Sequence, residues 1–412
     1  MPNGVRVVTA QMPHLSSVSM GIWVNVGARD EAAAESGLSH LIEHMIFKGT
    51  ARRSAYQIAK AFDAIGGQTN AFTSPESTCY HAKVLDSHLA PMVDILVDIF
   101  FNSLFDEEEF QREREVVLQE IRMIEDSPEE LAHTLACAAF WGDHPLGRSI
   151  LGTPETLGRF DAGCIRDFFH RTYQPARVVI AAAGNLVHER LVEMLTPAFA
   201  GMTGGTGPAP RQAPPTCSGV VVHPRAIEQV HLCLTGPGLC ISDERRYALS
   251  LLNAILGGNM SSRLFQTLRE QMGLAYTVYS FVSAYQDSGM LGVYAAVAPE
   301  DSAETVRRIL EQMRRLADTP VSPQRLEEAK QYTRGSLMLA AENNDHQMTR
   351  LAQNEIYLGR YTPMEEVLRR IEAVSAADVQ DLARMLWAPG GLALTLLGPV
   401  PEGLADADPL GA

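Results

Sequence analysis

A glycine- and proline-rich stretch near the middle of the chain, Gly201–Pro215 (GMTGGTGPAPRQAPP), constrains its folding more than any other feature. Glycine's wide backbone freedom and proline's missing N–H interrupt helix and strand alike. The break therefore reads as a linker, taken as 201–217, between a 1–200 domain and a 218–412 domain, each of ordinary domain size. Both halves mix strands and helices in the same order. In the first, SVSMGIWVNVGA alternates like a strand, SGLSHLIEHMIFK has helical spacing, TCYHAKVL is strand-like and Phe110–Ile124 is helical. In the second, QVHLCLTGP precedes the helical ERRYALSLLNAILGG, then LFQTLRE, then the strand-rich AYTVYSFVSAY and GMLGVYAAVA. HLIEHMIFKGT laid over LSLLNAILGGN gives a weak internal match at an offset of 209 residues, the trace an old duplication leaves.

The 34 Lys+Arg against 49 Asp+Glu give a net charge of −15, which repels phosphate backbones and anionic membrane surfaces. Nucleic acid and membrane are excluded as expected partners, and basic peptides are favoured. The six cysteines are scattered without the short paired spacings of a zinc knuckle or redox motif, so reduced thiols are expected. No segment approaches the ~18–20 apolar residues of a bilayer span, and the opening MPNGVRVVTAQMPHLSS lacks a basic region followed by an apolar run. These features point to the cytoplasm.

The chemistry concentrates in His40-Leu41-Ile42-Glu43-His44. On a helix, residues three and four apart share a face, so two imidazoles and a carboxylate point the same way. Zn²⁺ accepts neutral imidazole nitrogens, and the intervening carboxylate stays free to act as a base. This is the order of the H-x-x-E-H inverted zincins. At the duplication offset, His40, Glu43 and His44 face Leu249, Leu252 and Asn253, so this metal site belongs to the first half alone. A catalytic zinc needs a third protein ligand. EEEFQREREVVLQEIRMIED supplies candidates: Glu113 and Glu120, seven residues apart, lie within ~20° about a helix axis, with Val116, Val117 and Ile124 near the same face. Spacing alone leaves Glu113, Glu115 and Glu120 open.

GLSHLIEHMIFKGT, followed 76 residues after His44 by the Glu120 of EREVVLQEI, resembles the pitrilysin/insulinase-type metallopeptidases, in particular the short branch of mitochondrial processing peptidase and its bacterial relatives. GGQTNAFTSPESTCY, HPLGRSILGT, YQPARVVIAAAGN, GGNMSSRLFQTLREQMGLAYTVYSF and RLAQNEIYLGR extend the likeness over nearly the whole chain. The resemblance implies an α+β fold of two homologous α/β-sandwich halves, each a mostly antiparallel sheet covered by helices. It implies one Zn²⁺ per chain held by His40, His44 and Glu120, with Glu43 as general base and Glu113 as the supporting carboxylate. Arg269 and Tyr276 match a pair that contacts substrate or the developing oxyanion, and Asn70, Ala71 and Phe72 match a strand that binds an extended peptide. The expected function is zinc endopeptidase action on extended peptides or unfolded segments inside a dimeric chamber. A homodimer is the simplest assembly, with a heterodimer with a paralogue as its variant. The rival is a non-catalytic assembly subunit of the same fold, which typically lacks the zinc or base residues that are intact here.

Overall fold

The computed structural model describes residues 1–205, 210–404 and 410. They form two compact units, each built on a five-stranded sheet. In the first unit the strands are β1 (Arg6–Gln11), β2 (Ser17–Val24), β3 (Gln68–Thr73), β4 (Thr78–Leu85) and β5 (Val178–Gly184), in the order β1-β5-β2-β4-β3. In the second they are β6 (Gly219–Pro224), β7 (Val230–Pro237), β8 (Ala275–Ala284), β9 (Gly289–Val297) and β10 (Ala393–Gly398), in the order β6-β10-β7-β9-β8. Each sheet has one parallel pair, β1 with β5 and β6 with β10, and is otherwise antiparallel. Two α+β units of identical strand order are what a duplication leaves, and the weak match at an offset of 209 residues is its remnant in sequence.

Strand periodicity explains the two-sided burial. In β2, Met20, Ile22 and Val24 enter the main core of the first unit, while Trp23 points to the opposite face with Cys79, Val179 and Ala181. The strands β5 (VVIAAAG) and β9 (GMLGVYAAV) are buried at every position, as strands covered on both faces are. On the main face of the first unit the cover comes from helices including Leu89–Asn102, Ala162–Thr172 and His188–Phe199.

The second face of each sheet takes its cover from a distant part of the sequence, and this corrects the division at residue 200. The helix Pro128–Trp141 belongs to the second unit, where Ala132 and Ala136 pack on Cys233, Tyr294 and Leu397. The helix Asn344–Gln353 belongs to the first, where Met348, Leu351 and Ala352 pack on Trp23, Cys79 and Val179. The units are thus Met1–Met123, Arg148–Pro210 and Leu339–Tyr361 on one side, and Ile124–Gly147, Arg211–Met338 and Thr362–Ala412 on the other. A second apolar sheet face must be buried, and local pattern does not say by which helix. The described residues of the expected linker, 201–217, carry no helix or strand, and 206–209 lie outside the described residues. All six cysteines are free, and no helix among the described residues is long and apolar enough to cross a membrane.

Candidate active site

The helix Leu38–Met45 buries Leu38, Leu41, Ile42 and Met45, an i, i+3, i+4, i+7 stripe set into the core of the first unit. At 100° per residue, His44 lies about 40° and Glu43 about 60° from His40 on the other side of that helix. Burying the apolar stripe therefore turns all three polar side chains outward together. Facing them is the helix Glu107–Asp126, whose buried residues are Phe110, Glu113 and Val117. Glu113 is 7% exposed, Glu120 lies two turns further on the same stripe, and Glu115 is exposed. Packing thus separates three carboxylates that spacing leaves equivalent. Val116 does not share this face; it is 39% exposed, and Phe110 takes the packing place assigned to it.

Glu120 Oε2 lies 3.5 Å from His40 Nε2 and 3.6 Å from His44 Nε2. One ligand atom from each residue lies within 4.8 Å of the others, a metal-type grouping among the described residues. A tetrahedral zinc with bonds of ~2.0–2.1 Å holds its ligand atoms about 3.3 Å apart. The two imidazole–carboxylate separations are close to that spacing, and the chemistry of two imidazoles and a carboxylate fits that ion. Glu113 Oε2 sits 3.1 Å from His44 Nδ1, and its Oε1 sits 2.5 Å from Lys48 Nζ. With its Nδ1–H donated to Glu113, His44 presents Nε2 as the free donor.

Burial pushes His40 down to about 3, with the neighbouring His44 adding to it, so its ring is neutral and ready to ligate. Burial opposes charge on His44 too, but the Glu113 hydrogen bond and the Glu120 and Glu43 charges outweigh it and hold the imidazole above its ordinary value. Burial would raise Glu113, yet His44 and Lys48 keep it below the usual carboxylate range. The Glu43 carboxyl is raised, mainly by burial, against the pull of a Thr73 hydrogen bond.

Sequence reading places Thr73 at the end of the peptide-binding strand but links neither Thr73 to Glu43 nor Lys48 to Glu113. Thr73 Oγ1 donates to Glu43 Oε2 at 2.6 Å, from the last position of β3, and Lys48 pairs with Glu113. Thr73 shares the β3 face of Ala71 by strand alternation, and Lys48 follows His44 at i+4; those spacings were the available signals. Thr73→Val, which keeps shape and loses the donor, is expected to cost about 1.5 kcal/mol, roughly tenfold in kcat, with KM little changed. Steady-state kinetics check this, and Thr73→Ser should restore the rate.

β3 is an edge strand, and an open cleft of about 290 Å³ beside it is lined by Glu43, His44, Phe47, Lys48, Thr69, Asn70, Ala71 and Glu113. The Ala71 N–H donates to Asn70 Oδ1 at 2.9 Å. Asn70 and Ala71 thus meet the histidine helix. The Phe72 ring does not line the cleft; it packs against Trp23 at 5.2 Å and His81 at 6.1 Å.

Arg269 and Tyr276 are brought together in the second unit. Arg269 lies in a π-helical turn, Phe265–Gln271, and its guanidinium carbon sits 4.8 Å above the Tyr276 ring. Tyr276 occupies a bulge where the β8–β9 register passes from Ala275 to Thr277, and it is 79% exposed. Bulges and π-turns re-aim side chains out of regular ladders, which leaves this phenol in solvent with a cation stacked on it.

The fold is the one that the sequence resemblance implies. Residues 6–154 match the family Insulinase (Peptidase family M16), and residues 159–332 match the Peptidase M16 inactive domain. The uncharacterized zinc protease YmxG of Bacillus subtilis (strain 168) is 42% identical over 399 residues, 96% of this chain and 97% of its own length. An uncharacterized zinc protease of Streptomyces coelicolor is 38% identical over 410 residues, 98% of this chain and 89% of its own. A Pseudomonas fluorescens structure described as a peptidase M16 inactive domain superposes with a TM-score of 0.91 at 20% identity, over 97% of each chain. A protease from Helicobacter pylori superposes at 0.90 and 20% identity, over 96% of this chain and 97% of that one. The two structures speak for the fold. The chain belongs to the insulinase family of peptidases, M16.

Proposed function

We propose that this chain is a zinc-dependent endopeptidase that hydrolyses extended peptides and unfolded segments. The observation that carries the reading is the convergence of His40 Nε2, His44 Nε2 and a Glu120 oxygen, with Glu43 on the same helix. Relatives named zinc proteases support zinc as the occupant, and the single grouping of ligands among the described residues suits one ion per chain. Zinc held there supplies Lewis acidity toward a peptide carbonyl and an acidified water at its open position. Glu43 would take a proton from the attacking water on its carboxylate as the water oxygen adds to the peptide carbonyl carbon, and would return it to the leaving amine nitrogen as the C–N bond breaks. Glu113 orients His44, and Thr73 occupies one Glu43 oxygen so that the other is available to the proton.

The open edge of β3 is the place for the substrate. An extended peptide adds there by main-chain hydrogen bonds, exchanging the local Ala71–Asn70 bond for one to its own carbonyl. Asn70, Ala71 and Phe72 contribute backbone, which reads an extended shape rather than a particular side chain. Arg269 and Tyr276 are donors for the negative charge that develops on the carbonyl oxygen. Tyr276→Phe is expected to lower kcat roughly 10²-fold while zinc content is unchanged, measured as turnover against metal stoichiometry.

Because this one sequence carries both the metal set and the Arg/Tyr pair, two copies enclosing the substrate are the proposed assembly, with a paralogue as the alternative partner. The free thiols suit a reducing cytoplasm. The charge of −15 favours basic substrates; equal cleavage of acidic and basic peptides of matched length would sink that preference. The decisive experiment measures metal content together with cleavage of a mixed peptide library. About one zinc per chain with cleavage of unstructured peptides supports the reading, and a chain that binds no metal overturns it in favour of an assembly subunit.

A further inference from the structure

The helix that carries His40, Glu43 and His44 is eight residues long, too short to hold its place by helix propensity alone. Its leading backbone N–H groups have no intrahelical acceptor. A Ser, Thr, Asp or Asn at the N-cap would ordinarily supply one, but that position is Gly37, at φ +105°. A Cβ there would lie 2.9 Å from the Leu151 carbonyl oxygen and 3.2 Å from the Gly152 Cα. The chain packed against the helix start therefore excludes any side-chain cap from Gly37 itself.

Glu31, six residues upstream, does that work. Its Oε2 accepts the Gly37 N–H at 2.8 Å and its Oε1 accepts the Ser39 N–H at 2.6 Å, so both carboxylate oxygens are used. Glu31 is 3% exposed, and its backbone carbonyl accepts a hydrogen bond from Arg148 Nη2 at 3.1 Å. Burial pushes its carboxyl up to about 7 in spite of the two amide donors and the Arg148 charge. An apolar residue would avoid that desolvation but would leave two amide hydrogens without acceptors. An acidic group at this end also complements the helix dipole.

We infer that Glu31 is a positioning residue of the metal centre: by bridging the amides of Gly37 and Ser39 it sets the height and rotation of the helix that presents His40 and His44 to Glu120. The inference rests on reading those three residues as metal ligands. Its leverage is geometric. An imidazole nitrogen roughly 6 Å from a helix axis moves about 1 Å when the helix turns by ~10°, twice the ~0.5 Å within which a site must be held.

The test uses the full chain and Glu31→Gln, which keeps the side-chain shape but turns an NH₂ toward one of the two amide hydrogens. Zinc affinity is read by chelator competition, ligand geometry by the visible bands of the cobalt-loaded protein, and the helix by amide hydrogen exchange over 38–45 in the metal-free chain. Zinc affinity should fall roughly 10–100-fold, as for other outer-shell changes. The cobalt bands should shift, and exchange should quicken in 38–45 but not in β2 or β4. If zinc affinity and cobalt bands match the parent's, the inference fails, even if the thermal midpoint drops, because the role is then structural only. Glu31→Asp keeps the charge on a shorter arm and carries the same readouts if Glu31→Gln does not fold. A parent that binds no metal overturns the ligand assignment and this inference together. A parent that binds zinc, with a Glu31→Gln variant that binds it equally well, overturns this inference alone.

Discussion

Glu43→Gln should keep its zinc and lose roughly 10²–10⁴-fold in kcat, the range for removing a general acid–base group. The substitution is nearly isosteric, and the amide oxygen can still accept the Thr73 hydroxyl that now lies 2.6 Å from Glu43 Oε2. Neither His40 nor His44 uses Glu43 as a hydrogen-bond partner, so the ligand set is left intact. What disappears is the capacity to take a proton from water and hand it to the departing amine. Metal analysis and turnover on the same preparation check this: zinc near the parent's level with cleavage gone is the expected pair of results. Loss of zinc in step with activity would mean that Glu43 serves the metal rather than the proton.

The second large effect is on the metal itself. Replacing Glu120 by Gln, or His40 by Ala, should weaken zinc binding by more than the roughly 10–100-fold of an outer-shell change, since a ligand is lost outright. Activity should vanish with it and return only at high added zinc. Acid should do the same to the unaltered chain. His40 is neutral down to about pH 3, but His44 holds its proton above the ordinary histidine range because Glu113, Glu120 and Glu43 outweigh its burial. Zinc must displace that proton from Nε2, so affinity should fall as pH drops through the raised His44 value, with proton release on binding at lower pH. Glu113→Gln removes the hydrogen bond that favours the imidazolium and should move the transition to lower pH. Calorimetric zinc titrations across pH, in buffers of different ionisation enthalpy, read both quantities. Affinity that is independent of pH across the histidine range would show that His44 is not a ligand.

Such predictions could be framed because much of the site is local in sequence. His40, Glu43 and His44 fall within five residues, and their common face follows from helical period once Leu38, Leu41, Ile42 and Met45 are recognised as its buried opposite. Glu113 and Glu120 were reachable as a pair seven apart, but their separation from Glu115 needed the packing of Phe110 and Val117. For Thr73 strand alternation was only a weak signal, and Glu31 was out of reach. Thr73 lies 30 residues from Glu43 and meets it only because β3 runs beside the histidine helix. Glu31 looks like one more acidic residue in RDEAAAE, and its task appears only when Gly37 is seen to be barred from carrying a side chain.

The amino-acid sequence by itself determined the α+β class, the repeated order of strands and helices, the metal-binding pentad and its confinement to the first half. The α+β class comes with the family resemblance; the order of elements and the pentad rest on periodicities of two or 3.6 residues and on spacings within one element, which local backbone geometry obeys wherever the element is placed. Tertiary structure alone decided which helix covers the second face of each sheet, sending Pro128–Trp141 to the second unit and Asn344–Gln353 to the first. It also decided what caps the histidine helix, and by packing it set Glu113 and Glu120 apart from Glu115, a choice that spacing leaves open and that the family resemblance had made. Apolar burial is non-directional, so a stripe such as Ala132, Ala136 and Phe140 records that it must be covered without recording by what. The partner is chosen when strands and helices distant in sequence compete for the same surface, and that competition is settled only in the packed molecule.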